Sequence, residues 1–211
     1  MASAKSLLRF GEPAPWFTAR TPVNPAFHFD SVGGRYIVLT LFGTTAHPYS
    51  ARLLSAFQQA AATFDGQNAA LFGVSVDSAD EARLGSICPA CICFWDSDRA
   101  VSQAFGAITD TGYRAHTVLF DPRLRVIGVW GYDGEPEAHV ANVLQALAAQ
   151  PVIGTAVPAV VQAPILVVPR IFEPELCRTL IKYYDDRGGK DSGFMREVDG
   201  KTVGVYDYAH K

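Results

Sequence analysis

The chain has 211 residues, 49% apolar and 18% charged, which is enough for a packed core and excludes a globally disordered chain. Lysine and arginine number 18 against 21 acidic residues, with no basic block, so nucleic-acid binding by phosphate neutralisation is excluded as a main role. No apolar run approaches the ~20 residues that span a bilayer, and the start is too weakly apolar for a secretory signal, so a cytoplasmic protein without a membrane role is expected.

Arg35-Tyr-Ile-Val-Leu-Thr-Leu-Phe42 is a nearly continuous apolar run, the pattern of a strand buried on both faces. Gly43-Thr-Thr-Ala-His-Pro-Tyr49 breaks it. Residues 50–64 then place Leu53, Leu54, Phe57, Ala60, Ala61 and Phe64 at helical spacing. Residues 69–76 read as a second buried strand. Asp77-Ser-Ala-Asp-Glu81 reads as a helix cap and first turn, with its acids near the positive end of the dipole. Ile92–Trp95 reads as a strand, and residues 99–106 as a short helix closed by Gly106. Residues 116–120 and 124–130 form two strands around an Asp121-Pro122-Arg123 turn. Residues 136–149 form a helix with Val140, Val143, Leu144 and Leu147 inward.

Two strands joined by a helix imply parallel pairing, and the hairpin adds antiparallel strands. The expected fold is α/β: a thioredoxin-like mixed sheet with flanking helices, plus a short C-terminal α+β extension. Charge density rises after residue 150. Residues 1–150 carry 10 basic and 13 acidic side chains, and residues 151–211 carry 8 and 8. Pro151, Pro158 and Pro164 sit at that shift. The expected division is a domain over 1–150, a linker over 151–163 and an incomplete segment over 164–211.

Five segments resemble the peroxiredoxins, the alkyl hydroperoxide reductase and thiol-specific antioxidant family. They are Gly11-Glu-Pro-Ala-Pro-Trp-Phe17, Tyr36–Phe42, Phe72-Gly-Val-Ser-Val-Asp-Ser78, Phe94–Gly106 and Thr117-Val-Leu-Phe-Asp-Pro122. Their order spans about residues 9–149. The resemblance implies a Pro-x-x-x-Thr-x-x-Cys loop after the first core strand, whose Cys attacks peroxide as a thiolate. This chain has Gly43, His47 and Ser50 at those three positions. An alcohol cannot replace the thiolate: its pKa lies too high, and oxygen has no sulfenic states to cycle through. Ser50 reads as a helix N-cap and His47 as a loop residue. A Ser/His hydrolase and a binding role for the polar loop are the other readings. Arg114 is the candidate for the family's arginine, one position early by alignment on Asp121.

Of four cysteines, Cys88-Pro-Ala-Cys91-Ile-Cys93 form a cluster. Structural thiols, a reversible disulfide or thiol relay, and a metal site are all readings of that spacing. Cys88 and Cys91 are the pair within reach if residues 88–91 turn. Cys177 falls in a helical pattern with Leu176, Leu180 and Ile181, and packing is expected for it.

Residues 164–184, with strand Ile165–Val168 and a helix starting at Glu173-Pro174-Glu175, resemble the opening of prolyl-hydroxylase-like oxygenases that use 2-oxoglutarate and Fe(II). Those enzymes hold iron with two histidines and a carboxylate. Residues 164–211 contain no His-x-Asp or His-x-Glu, and Asp207-Tyr-Ala-His210 has the wrong order. No cofactor or metal is therefore expected in this chain, and Fe(II) and 2-oxoglutarate would belong to a longer protein of which this is a truncation. The expected function is a redoxin domain without its peroxidatic cysteine, serving as a binding or dimerisation module. The alternative is a thiol oxidoreductase using Cys88, Cys91 or Cys93. A homodimer is the expected assembly.

Overall fold

An eight-residue strand with no exposed position needs cover on both faces, and the fold is built around that need. The computed structural model describes residues 6–154, 171–189 and 194–206. The chain divides into two compact units, Met1–Val161 and Gln162–Lys211.

In the first unit, β1 (Thr18–Ala19) and β2 (Phe27–His28) make a small ribbon, followed by a 3-10 turn at Phe29–Val32. Then come β3 (Tyr36–Gly43), α1 (Pro48–Gln59), β4 (Ala69–Ser75), α2 (Asp80–Ile87), β5 (Ile92–Trp95) and α3 (Ala100–Ala104). A second ribbon, β6 (Ile108–Thr109) with β7 (Gly112–Tyr113), precedes β8 (His116–Phe120), β9 (Val126–Gly131) and α4 (Pro136–Ala148). The main sheet has the order β5-β4-β3-β8-β9. β3, β4 and β5 are parallel, and β8 and β9 are antiparallel additions. This is the thioredoxin-like mixed sheet expected from the sequence.

β3 alternates between two cores. Ile37, Leu39 and Leu41 face a cluster rich in aromatic rings, among them Phe29, Phe72, Phe94, Phe105 and Phe120. Tyr36, Val38 and Phe42 face Leu53, Leu54 and Phe57 of α1, Leu84 of α2 and Val140, Val143 and Leu147 of α4. With both faces covered, polar alternation is lost, which is why the strand reads as an unbroken apolar run.

Three boundaries differ from expectation. α1 starts at Pro48 with His47 as its N-cap, so Ser50 is the third helical residue and not the cap. Pro48 fixes φ near the helical value and gives up an N–H that the first turn leaves unpaired anyway. The helix also ends at Gln59, and residues Ala61–Thr63 tighten into a 3-10 turn. β9 begins at Val126, because Leu124 takes φ +57 in a turn held by Asp121 Oδ1, which accepts from the Arg123 and Arg125 N–H groups.

In the second unit, α5 (Pro174–Arg187) has Pro at its start, and β10 (Phe194–Val198) pairs with β11 (Lys201–Val205). Leu176, Leu180 and Ile181 of α5 are exposed and Cys177 is half-buried, so the packing expected around Cys177 is only partly formed among the described residues. The expected linker over most of 151–163, the strand Ile165–Val168 and the Asp207–His210 cluster lie outside the described residues. Among the described residues no helix is long and apolar enough to cross a membrane.

Candidate functional site

The parallel strands β3 and β4 end at the same edge of the sheet. Because β8 runs antiparallel to β3, its start lies there too: His116 is opposite Leu41. β9 returns to that edge, with Gly131 opposite His116. The loops at these strand ends enclose a cavity of about 650 Å³, lined by Gly43, His47, Ser50, Arg114, Tyr132 and Asp133 among others. Four of these were singled out from sequence, and the fold brings them together. Tyr132 and Asp133 were missed, since only the β8–β9 register carries them to the site.

Gly43 takes φ +77, and the Thr44 N–H donates across it to the Phe42 carbonyl at 3.0 Å. That i to i+2 bond at positive φ is a γ-turn, which glycine adopts far more readily than other residues. Proline, locked near −65°, cannot stand there. The Tyr113 ring lies 3.0 Å from where a Cβ on Gly43 would be.

The Ser50 side chain is buried, with 2% exposure, and its hydroxyl donates to the Phe42 carbonyl at 3.0 Å. His47 is exposed, and its Nδ1 accepts from the Tyr49 N–H at 3.3 Å. Each side chain is thus engaged with backbone, and no Ser50–His47 couple forms.

The loop after β3 is tied to the loop after β4. Thr44 Oγ1 donates to Asp77 at 2.8 Å, and the Thr45 N–H donates to Asp80 at 2.9 Å. The Thr45 and Ser75 hydroxyls also donate to Asp80. Asp80 is completely buried, with Arg83 3.7 Å away. The Ala79 N–H and then the Thr44 hydroxyl hold the Asp77 carboxyl below the usual range. Asp80 does lie in the first turn of α2, as the sequence suggests, and it is also the buried clamp of the loop.

On the opposite wall, an Arg114 guanidinium nitrogen donates to the Gly106 carbonyl at 2.8 Å. His116 is fully buried and shares 2.9 Å with the Arg114 carbonyl through Nδ1, so Nδ1 carries the hydrogen. Burial pushes its pKa down to about 4. Tyr49 stacks on Tyr132 at 4.8 Å, and the Tyr132 hydroxyl lies 2.6 Å from Thr40 Oγ1. Thr117 Oγ1 is 3.1 Å from Thr40 and 2.9 Å from His139 Nε2. Burial raises the Tyr113 and Tyr132 hydroxyl pKa values, so both stay protonated.

Cys88, Cys91 and Cys93 are buried beside α1 and α2, and none lines the cavity. All four cysteines are free thiols. Among the described residues, no group of three His, Cys, Asp or Glu side chains is placed to hold a metal. The chain does contain one His-x-Asp, His28-Phe29-Asp30, in the first unit. His28 Nδ1 lies 3.0 Å from Thr18 Oγ1 of the neighbouring strand.

Residues 10–128, more than half of the chain, match the profile of the AhpC/TSA family. The chain belongs to that family. Among solved structures, this AhpC/TSA chain is similar to the peroxidoxin BcpB of Mycobacterium tuberculosis, with a TM-score of 0.60 at 18% identity. That match covers 67% of this chain and 97% of the other. Yeast mitochondrial 1-Cys peroxiredoxin matches at 0.57 and 21% identity, covering 68% and 76%. The bacterioferritin comigratory protein of Xanthomonas campestris matches at 0.57 and 22%, covering 63% and 90%. At these identities the likeness speaks for the fold. No curated protein sequence matches the chain.

Proposed function

We propose that the first unit is a peroxiredoxin-fold binding module that has lost peroxidase chemistry. The observation that carries this is Ser50: it stands where the family resemblance puts the nucleophile, and its hydroxyl is buried against the Phe42 carbonyl. A helix N-terminus brings a thiol into its reactive range, but an alcohol starts many decades too high. Gly43 adds to this, because φ +77 bars the motif's proline. The cavity nonetheless persists, with tyrosine and phenylalanine walls and Arg114 and Asp133 at its rim. Such a concave, mostly apolar site with a few polar groups suits a small ligand.

The second reading is a thiol oxidoreductase using Cys88, Cys91 or Cys93. Its support is the turn that sets Cys88 beside Cys91, although none of these cysteines lines the strand-end cavity. We also read residues 164–211 as the opening of a prolyl-hydroxylase-like oxygenase domain, supported by the Pro174-started helix and the hairpin after it. Among the described residues no group of three His, Cys, Asp or Glu side chains is placed to hold the iron such a domain would use. Family resemblance extends to a homodimer, which sedimentation equilibrium tests.

Binding is tested by NMR titration of the purified chain with sets of small acids, amines and neutral aromatics. The proposal expects saturable shifts at residues 43–50, 113–115 and 131–133. No shift in that set at millimolar concentration overturns it.

A further inference from the structure

The cavity leaves one built feature unused, the cluster at the end of α2. We infer that Cys88 and Cys91 form a reversible intramolecular disulfide, a modification site separate from the cavity and independent of what the cavity binds.

The geometry is that of a held turn. Cys88 ends α2, its N–H donating to Leu84 at 2.9 Å, and the Cys91 N–H donates back to the Cys88 carbonyl at 3.0 Å. A four-residue turn of this kind keeps its end Cα atoms under about 7 Å apart, the range a disulfide requires. Gln58 of α1 fixes the turn further by accepting the Ala90 N–H at 3.0 Å. β4 makes room for this: a Cβ on Gly73 would lie 2.9 Å from the Cys91 sulfur.

The pair is also asymmetric. The neighbouring Cys91 thiol holds the Cys88 thiol below its ordinary pKa, while Cys88 and burial push Cys91 up. Cys88, at the end of a helix that buries only two of its side chains, is the thiol that local opening frees first, and it is the attacking one. Cys93 is set apart: its thiol donates to the Phe94 carbonyl at 3.5 Å, and burial pushes its pKa up. Cys88 and Cys91 are 1% and 7% exposed, so attack requires local opening. The turn is suited to this, because Pro89 is exposed and α2 buries only Asp80 and Leu84.

The oxidant is a small-molecule disulfide. The Cys88 thiolate attacks one of its sulfurs, the S–S bond breaks, and one thiol leaves with the proton Cys88 gave up. The Cys91 thiolate then attacks the Cys88 sulfur of the mixed disulfide and releases the second thiol. Two protein thiols are oxidised and one small disulfide is reduced to two thiols.

The test equilibrates the full chain in glutathione/glutathione-disulfide buffers, quenches by alkylation and maps the link by fragmentation mass spectrometry. The expected result is a Cys88–Cys91 link formed at least tenfold more favourably in the folded chain than in urea. A Cys93→Ser/Cys177→Ser variant should still lose two hydrogens, and adding Cys88→Ser should abolish that loss. A link through Cys93, no link, or equal formation in folded and unfolded chains overturns the inference. The wild-type mapping decides even where a variant fails to fold.

Discussion

The Ser50 hydroxyl and the Phe42 carbonyl are joined at 3.0 Å, across the break between the first core strand and the first helix. Phe42 sits at a register shift in the β3–β4 ladder, between Leu41 and Gly43. Its carbonyl takes both the Thr44 N–H and the Ser50 hydroxyl. Ser50 thus has a structural duty that opposes activation.

That duty sets the first expected outcome. Ser50→Ala leaves the Phe42 carbonyl with one donor instead of two and should cost about 1 kcal/mol. Urea unfolding should show a lower midpoint with an unchanged slope. Ser50→Cys, close in size, should fold and show some peroxide reactivity that the wild type lacks.

Gly43 should tolerate little. Its φ of +77 costs a residue with a Cβ about 1–2 kcal/mol, and the Tyr113 ring must also move. Gly43→Ala should lower stability by about 2 kcal/mol. Gly43→Pro, which restores the family's residue, should be worse still. A Gly43→Pro chain as stable as wild type in urea would contradict the γ-turn.

The buried clamp gives a sharper contrast. Asp80→Asn puts an N–H₂ group among donors from Thr45 and Ser75 and should cost about 3 kcal/mol. Asp77→Asn, on the more exposed carboxylate, should cost less than about 1 kcal/mol. Equal losses for the two variants would show that burial does not distinguish them.

Stability should also fall in acid through His116. Its folded pKa of about 4 lies below the ordinary 6.5, so the unfolded chain binds more protons between those values. The contribution is complete above pH 6.5, declines as pH falls, and is lost below about 4. The gap corresponds to about 3 kcal/mol. His116→Gln should flatten the urea-midpoint profile over that window relative to wild type. An unchanged slope would mean that another group carries the acid sensitivity.

Much of this was legible in the sequence where one local pattern decides the outcome. The run at residues 35–42 needed only its unbroken hydrophobicity, and the helix over 136–149 only its spacing. Gly43, His47, Ser50 and Arg114 were picked out by family resemblance, and the fold gathers them at one cavity. His47 as N-cap was within reach, because Pro48 marks a helix start. Asp80 was not: its donors Thr45 and Ser75 lie 35 and five residues away, and only the pairing of β3 with β4 brings them together. Tyr132 and Asp133 depend likewise on the β8–β9 register.

The most direct test is steady-state hydrogen peroxide consumption by the wild-type chain with a thiol reductant. A binding module with Ser50 in the nucleophile's place predicts no consumption above that of the reductant alone. Catalytic turnover by wild type, abolished by Cys88→Ser or Cys91→Ser, would contradict it.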